Sequence, residues 1–269
     1  MRSELNKAFL KKQLKIAQRT SLAGLALFAV GMYLTFAAPQ AVTWAFVALI
    51  AGFLVSQVGI YFGNRYGRQP RADQVLDQAL KGLGEKHTLY HYATPAGHVI
   101  IGPSGVWVLV VKYQQGRIRY HKGKWRQKGG LVLWYLRLFA QEGLGRPDLE
   151  VAEEVKLVRK ALVDALGEEE AAAVPVEAVL VFTSPKAVLE DVADAPVPAL
   201  KPEELKAFFR ERLKQKRLTP AQVKRVREAL VLYKPQKDAD AGEGSSKTRR
   251  ESSSRGAKGK NARGKPRAA

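Results

Sequence analysis

Cysteine is absent from all 269 residues, and its absence removes a disulfide framework, a thiol nucleophile and any cysteine-held zinc site together. Histidine is scarce too. His87, His91, His98 and His121 are the only four, in or beside one run of short strands, and they read as core or solvated side chains with no metal assigned to them. No Gly-rich Walker-type lysine motif occurs, which argues against nucleotide hydrolysis, and no Ser, His and Asp arrangement has the spacing of a triad. Acidic residues are few, 25 against 45 Lys and Arg, so the formal net charge is +20. A charge of that sign calls for a polyanionic neighbour, nucleic acid or anionic lipid, without choosing between them.

The excess is unevenly spread. Nine basic residues and one acidic precede Ala72, 26 and 20 lie between Ala72 and Lys234, and ten and four follow. The segment before Ala72 and the C-terminal tail therefore carry +8 and +6, and the folded region between them only +6.

Charge vanishes altogether from Ser21 to Ala38, 18 residues that would make about 27 Å of helix, roughly one bilayer core. Pro39 and Gln40 interrupt, and Ala41 to Phe62 is a second uncharged run with Trp44 and Tyr61 near its ends, where interfacial aromatics belong. Phe36-Ala37-Ala38 offers the small residues of a signal-peptide cleavage site, but the long charged leader, the proline and the second run favour two spans. Arg2, Lys7, Lys11, Lys12, Lys15 and Arg19 precede the pair, Arg65, Arg68 and Arg71 follow it, and the turn is uncharged. The positive-inside bias then puts both termini in the cytoplasm of a two-span cell-membrane protein. Leu5, Phe9 and Leu14 among the leader's cations suggest an amphipathic helix along the headgroups or a plain basic cap. Ala48, Gly52 and Ser56 would let the second helix approach the first, or another copy, closely.

The expected organisation is a basic leader (1–20), two transmembrane helices (21–38 and 41–62), a cytoplasmic domain (72–235) and a disordered basic tail (236–269), where large apolar residues disappear. Within the domain, helical spacing runs from Ala72 to Leu83, and His87 to Tyr92 and His98 to Gly102 read as paired strands. Val106 to Val111 and Val176 to Thr183 have the continuous apolar character of buried strands. Gly116 to Tyr120 and Lys124 to Arg126 read as outer strands. Leu149 to Leu166, Pro202 to Lys214 and Thr219 to Leu232 read as helices. The fold class is α/β, a mixed sheet flanked by helices.

The stretch His98-Val-Ile-Ile-Gly-Pro-Ser-Gly-Val-Trp-Val-Leu-Val-Val-Lys-Tyr-Gln-Gln-Gly-Arg-Ile, followed by Gly123-Lys-Trp125, resembles the NERD (nuclease-related) domain of the PD-D/E-x-K nuclease superfamily. The resemblance runs over about Ala72 to Leu200 and implies a restriction-endonuclease-like sheet. It also implies metal-dependent phosphodiester cleavage by an aspartate, a glutamate and a lysine, with Mg2+ or Mn2+ as the metal. The aspartate's position here is Gly97 and the glutamate's is Val110, so Lys112 alone remains. Glycine and valine cannot ligate a hard cation. Asp73, Asp77 and Glu85 are the nearest other acids in sequence. The expectation is thus a non-catalytic, cofactor-free module that binds nucleic acid or a protein partner. An active nuclease with relocated ligands, or a scaffold on anionic membrane lipid, is the competing reading. Arg117, Arg119, Lys122, Lys124, Trp125 and Arg126 interleave cations with an aromatic and are the candidate polyanion contacts, unless they form only a solvated hairpin face. Lys112 itself could be no more than a strand-end lysine snorkelling to solvent.

Overall fold

The computed structural model describes residues 1–131 and 143–231. The tail expected from Gln236 lies outside the described residues.

Two long helices, α1 (Lys7–Ala37) and α2 (Val42–Phe62), form an antiparallel hairpin through a 3-10 turn at Pro39–Ala41. Both are long and apolar enough to cross a membrane, and little of either is buried within the protein. Their contact is a row of small residues spaced by seven: Ala17, Gly24 and Gly31 on α1, and Ala45, Gly52 and Gly59 on α2. A seven-residue repeat keeps one seam facing the partner helix. It differs from the four-residue spacing of Ala48, Gly52 and Ser56, although Gly52 and Ser56 do both meet Gly24. A side chain at Gly52 would put its Cβ 3.0 Å from the Gly24 carbonyl oxygen and 3.2 Å from the Phe28 nitrogen, both backbone atoms. Gly52→Leu should therefore separate the helices at a cost of about 1–3 kcal/mol. A lowered thermal midpoint in detergent is the expected readout, and an unchanged midpoint would mean that the helices do not pack through this seam.

The leader is not a separate cap. Arg2–Leu5 forms β1, and α1 starts at Lys7, with the Asn6 side chain accepting from the Phe9 N–H at 3.0 Å. After α2, a π-turn at Gly63–Gly67 leads to α3 (Ala72–Ala79). The strands β2 (Thr88–His91), β3 (His98–Gly102) and β4 (Gly105–Lys112) follow as an antiparallel meander. An outer hairpin, β5 (Gly116–His121) and β6 (Lys124–Lys128), precedes α4 (Pro147–Leu166) and the short α5 (Glu168–Ala173). The described chain closes with β7 (Val176–Phe182), β8 (Ala187–Glu190), β9 (Ala199–Leu200), α6 (Pro202–Arg212) and α7 (Pro220–Val231).

The main sheet has the order β1-β2-β3-β4-β7-β9, and β6-β5-β8 form a second, smaller sheet. β1 runs parallel to β2, and β4, β7 and β9 are parallel to one another. Alternation along the strands feeds two cores. Val99, Ile101, Val106, Val108 and Val110 share a cluster with Val158 and Leu162 of α4 and Val226 and Leu230 of α7. Leu89, Ile100, Trp107, Leu109, Val179 and Val181 share the other with Leu76 of α3 and Leu205 and Phe209 of α6. Burial on both faces is why β4 and β7 show no polar alternation in sequence. The domain is a mixed α/β fold with helices on both sides of its sheet.

Candidate functional site

The end of β4, the start of β3 and one face of α4 converge. Parallel pairing with β7 carries Lys112 to the sheet margin opposite Phe182, where its side chain is only 9 % exposed and ion-paired to both carboxylate oxygens of Glu150. Glu154, one turn further along α4 on the same face, accepts the Gly97 N–H at 3.3 Å. Burial pushes the Glu154 carboxyl up, and Glu150 adds to this, against the pull of the Gly97 N–H, Arg65 and Lys112. Val110, two residues before Lys112, is 4 % exposed and packed in the core.

These groups line a cavity of about 210 Å3 together with His98 and, from the end of the helical hairpin, Arg65 and Arg68. Arg68 donates to the Asn64 side-chain oxygen at 3.1 Å and stands 4.2 Å from the Tyr113 ring centre. Rings of Phe9, Phe62, Tyr66 and Tyr92, with centroids 5.5–6.2 Å apart, tie both helices to the domain beside the cavity.

Behind the cavity runs a buried polar chain. His91 Nε2 lies 3.1 Å from Asp77 Oδ1, and His91 Nδ1 lies 2.8 Å from His98 Nδ1. His91 Nε2 donates to the Asp77 carboxylate, and one proton lies between the two Nδ1 atoms. Burial, then His91 and then Arg65, hold His98 well below the usual histidine range. His87 is separate: Ser104 meets its Nε2 through the hydroxyl at 2.9 Å and the N–H at 3.3 Å.

Residues 70–183 match the family model described as the nuclease-related domain. The chain carries a NERD domain. The match takes in less than half of the chain and leaves the helical hairpin, α6 and α7 outside it. No curated protein and no solved structure matches the chain.

Gly97, Val110 and Lys112 of the NERD motif do meet at one cavity, although Val110 supplies only its backbone position and packing. The acids that reach it are not those nearest in sequence. Asp73 forms a two-pronged pair with Arg71 at 2.9 and 3.0 Å, Asp77 holds His91, and Glu85 is exposed. Glu150 and Glu154 come instead from α4, where the sequence marks them only as charges on a helix's polar face. A Cβ at Gly97 would lie 4.0 Å from each Glu154 carboxylate oxygen, so Glu154 occupies the space that an aspartate there would use. Both carboxylates are engaged within the protein, however. One is closed on Lys112, the other is buried and drawn toward its neutral form, and among the described residues no three His, Asp or Glu side chains come together as metal ligands. As they stand, both carboxylates are occupied by partners within the fold, Glu150 by Lys112 and Glu154 by the Gly97 N–H.

The cationic residues of β5 and β6 lie away from this cavity. Lys122 and Gly123 both have positive φ, 51° and 73°, and form the two-residue turn of the hairpin. Lys122, Lys124 and Arg126 are exposed, whereas Arg119 pairs with Glu190 of β8 at 2.9 Å, and Arg117 reaches the same carboxylate at 3.6 Å. Trp125 packs against Tyr120 and Phe182, so its ring anchors β6 to the core.

Proposed function

We propose that this protein is a membrane-spanning, non-cleaving NERD module that holds nucleic acid at the membrane surface. The observation that carries the reading is the register of the outer hairpin. Arg117 stands opposite Lys128, and Arg119 opposite Arg126. Side chains opposed in this way share a face, and like charges there destabilise a sheet. Glu190 offsets part of the repulsion, and a polyanion laid across the face would offset the rest. Phosphate contacts fall to Lys122, Lys124, Arg126 and Lys128, with Arg117 and Arg119 at the rim, while Trp125 holds the strand in place.

The replaced acids and the closure of Glu150 on Lys112 support the reading of a module without turnover. Membrane spanning is supported by the two apolar helices, whose outward faces bear exposed Leu22, Tyr33, Phe36, Trp44, Phe46 and Ile50. Both open ends of the hairpin dock on the domain, which supports a topology with those ends and the domain on one side of the bilayer.

The full-length protein in nanodiscs should bind labelled DNA or RNA with an affinity that falls as salt rises. Changing Lys124, Arg126 and Lys128 together to Glu should weaken binding by roughly tenfold or more. No product should appear with Mg2+ or Mn2+. Undiminished binding by the triple variant would remove this face as the interface. Cleavage lost in both Lys112→Ala and Glu154→Gln would replace the reading with a nuclease whose acids have moved onto α4.

A further inference from the structure

The cavity at Lys112 has a feature that the nucleic-acid reading does not use: part of its wall belongs to the helical hairpin. Tyr61, Asn64, Arg65 and Arg68 face Lys112, Glu150 and Glu154 across it. A groove on the hairpin, lined by Leu14, Ala17, Ser21, Gly59 and Gly63, shares Asn64 and Arg68 with the cavity. The polar chamber and the crevice between α1 and α2 therefore have a common wall at the end of the apolar run.

We propose that cavity and groove together hold one anionic phospholipid of the adjoining leaflet, its phosphate at Arg65, Arg68 and Lys112 and an acyl chain in the groove. The inference rests on the reading that the hairpin spans a membrane. Three cations and two carboxylates line the chamber among the described residues, so its balance favours an anion. Glu154, desolvated and beside Glu150, is drawn toward the neutral form, which tips the balance further. Arginine's planar fork suits phosphate oxygens. At about 210 Å3 the chamber is smaller than the ~300–1,000 Å3 of pockets that enclose a whole small molecule, and a phosphate headgroup with its tail outside meets that limit. Position agrees, because Arg65 lies three residues past the end of α2, about 4–5 Å along a helix axis, at headgroup depth.

The test uses the full-length protein from membranes containing phosphatidylglycerol or phosphatidic acid in a phosphatidylcholine background, released in mild detergent for native mass spectrometry. One anionic lipid should remain on the wild-type protein, and retention should fall at least about tenfold in Arg65→Ala/Arg68→Ala. Arg65→Lys/Arg68→Lys should retain an intermediate amount, because charge persists without the fork. Gly63→Leu is a second variant that leaves every cation in place. A Cβ at Gly63 meets no atom within 4 Å, so the fold accepts it, and a larger side chain on this wall of the groove should expel the acyl chain. Lys7→Ala, outside both cavity and groove, should change nothing. Equal retention by wild type and by both the double alanine variant and Gly63→Leu would overturn the proposal. So would inorganic phosphate binding that is sensitive to Arg65 and Arg68 but unaccompanied by lipid retention, which would make the chamber a small-anion site. Extraction of the protein from membranes by alkaline carbonate would instead defeat the spanning reading on which the inference rests.

Discussion

Gly102→Ala should destabilise the domain by about 3 kcal/mol. Gly102 ends β3 in the Gly-Pro-Ser-Gly turn, and a Cβ built there would lie 2.1 Å from Cδ2 of His87 and 2.5 Å from its Cγ. The imidazole cannot step aside. It is 3 % exposed and fixed at Nε2 by both the hydroxyl and the backbone N–H of Ser104, on the far side of the same turn. The methyl group would therefore displace either the ring, stripping Ser104 of its partner, or the strand margin that leads into β4. Thermal unfolding of the full-length protein, compared with Gly63→Ala as a substitution into open space, is the measurement. Equal midpoints for the two variants would show that His87 does not pack on Gly102.

Acid should destabilise the domain well before its carboxylates are protonated. Burial, assisted by the N-terminal amino group, lowers His87 from 6.5 to about 4, and His98 is lowered in the same direction. Both rings stay neutral in the fold but take a proton in the unfolded chain below about pH 6.5, so the unfolded state binds more protons and stability falls as pH falls. For His87 the deficit is absent above about 6.5, grows toward pH 4 and levels there at about 3 kcal/mol. His98 extends the decline. Glu154 acts in the opposite sense, since its raised pKa lets the fold keep a proton that the unfolded chain releases, and it offsets part of the loss. Denaturant midpoints at pH 7.5, 6, 5 and 4.5 should descend steadily. His87→Gln, whose amide oxygen can accept from Ser104, should flatten the profile. A wild-type curve level across that range would refute the burial of neutral rings.

How much of this was legible depends on how local the signal was. The uncharged runs announced the two helices, and the Gly-Pro-Ser-Gly turn with its apolar flanks announced β3 and β4, because in both cases neighbouring residues decide the outcome. Arg2–Leu5 carried no such signal. Its four residues include one large apolar side chain, and they form a strand only because β2 offers an open parallel edge more than eighty residues later. β8 and β9, four and two residues long, are likewise set by β5 and β7. The cavity was half legible. The motif located Gly97 and Lys112, but nothing in sequence spacing links Lys112 to Glu150, 38 residues away, or says that Glu154 fills the space left by Gly97. The tertiary path of α4 decides both. Seven-residue spacing on the hairpin could have been read, since Ala45, Gly52 and Gly59 repeat in the bare sequence.

The strand ahead of the hairpin also orders events during synthesis. β1 leaves the ribosome before α1 and α2, and β2 leaves after them, so the two strands can pair only after both helices have been made. A chain in which β1 does not reach β2 makes the buried β2 its edge strand in place of the short, exposed β1, and so a better template for sticking to other chains. A fragment begun at Ala72 would lack β1 and present β2 as its edge strand.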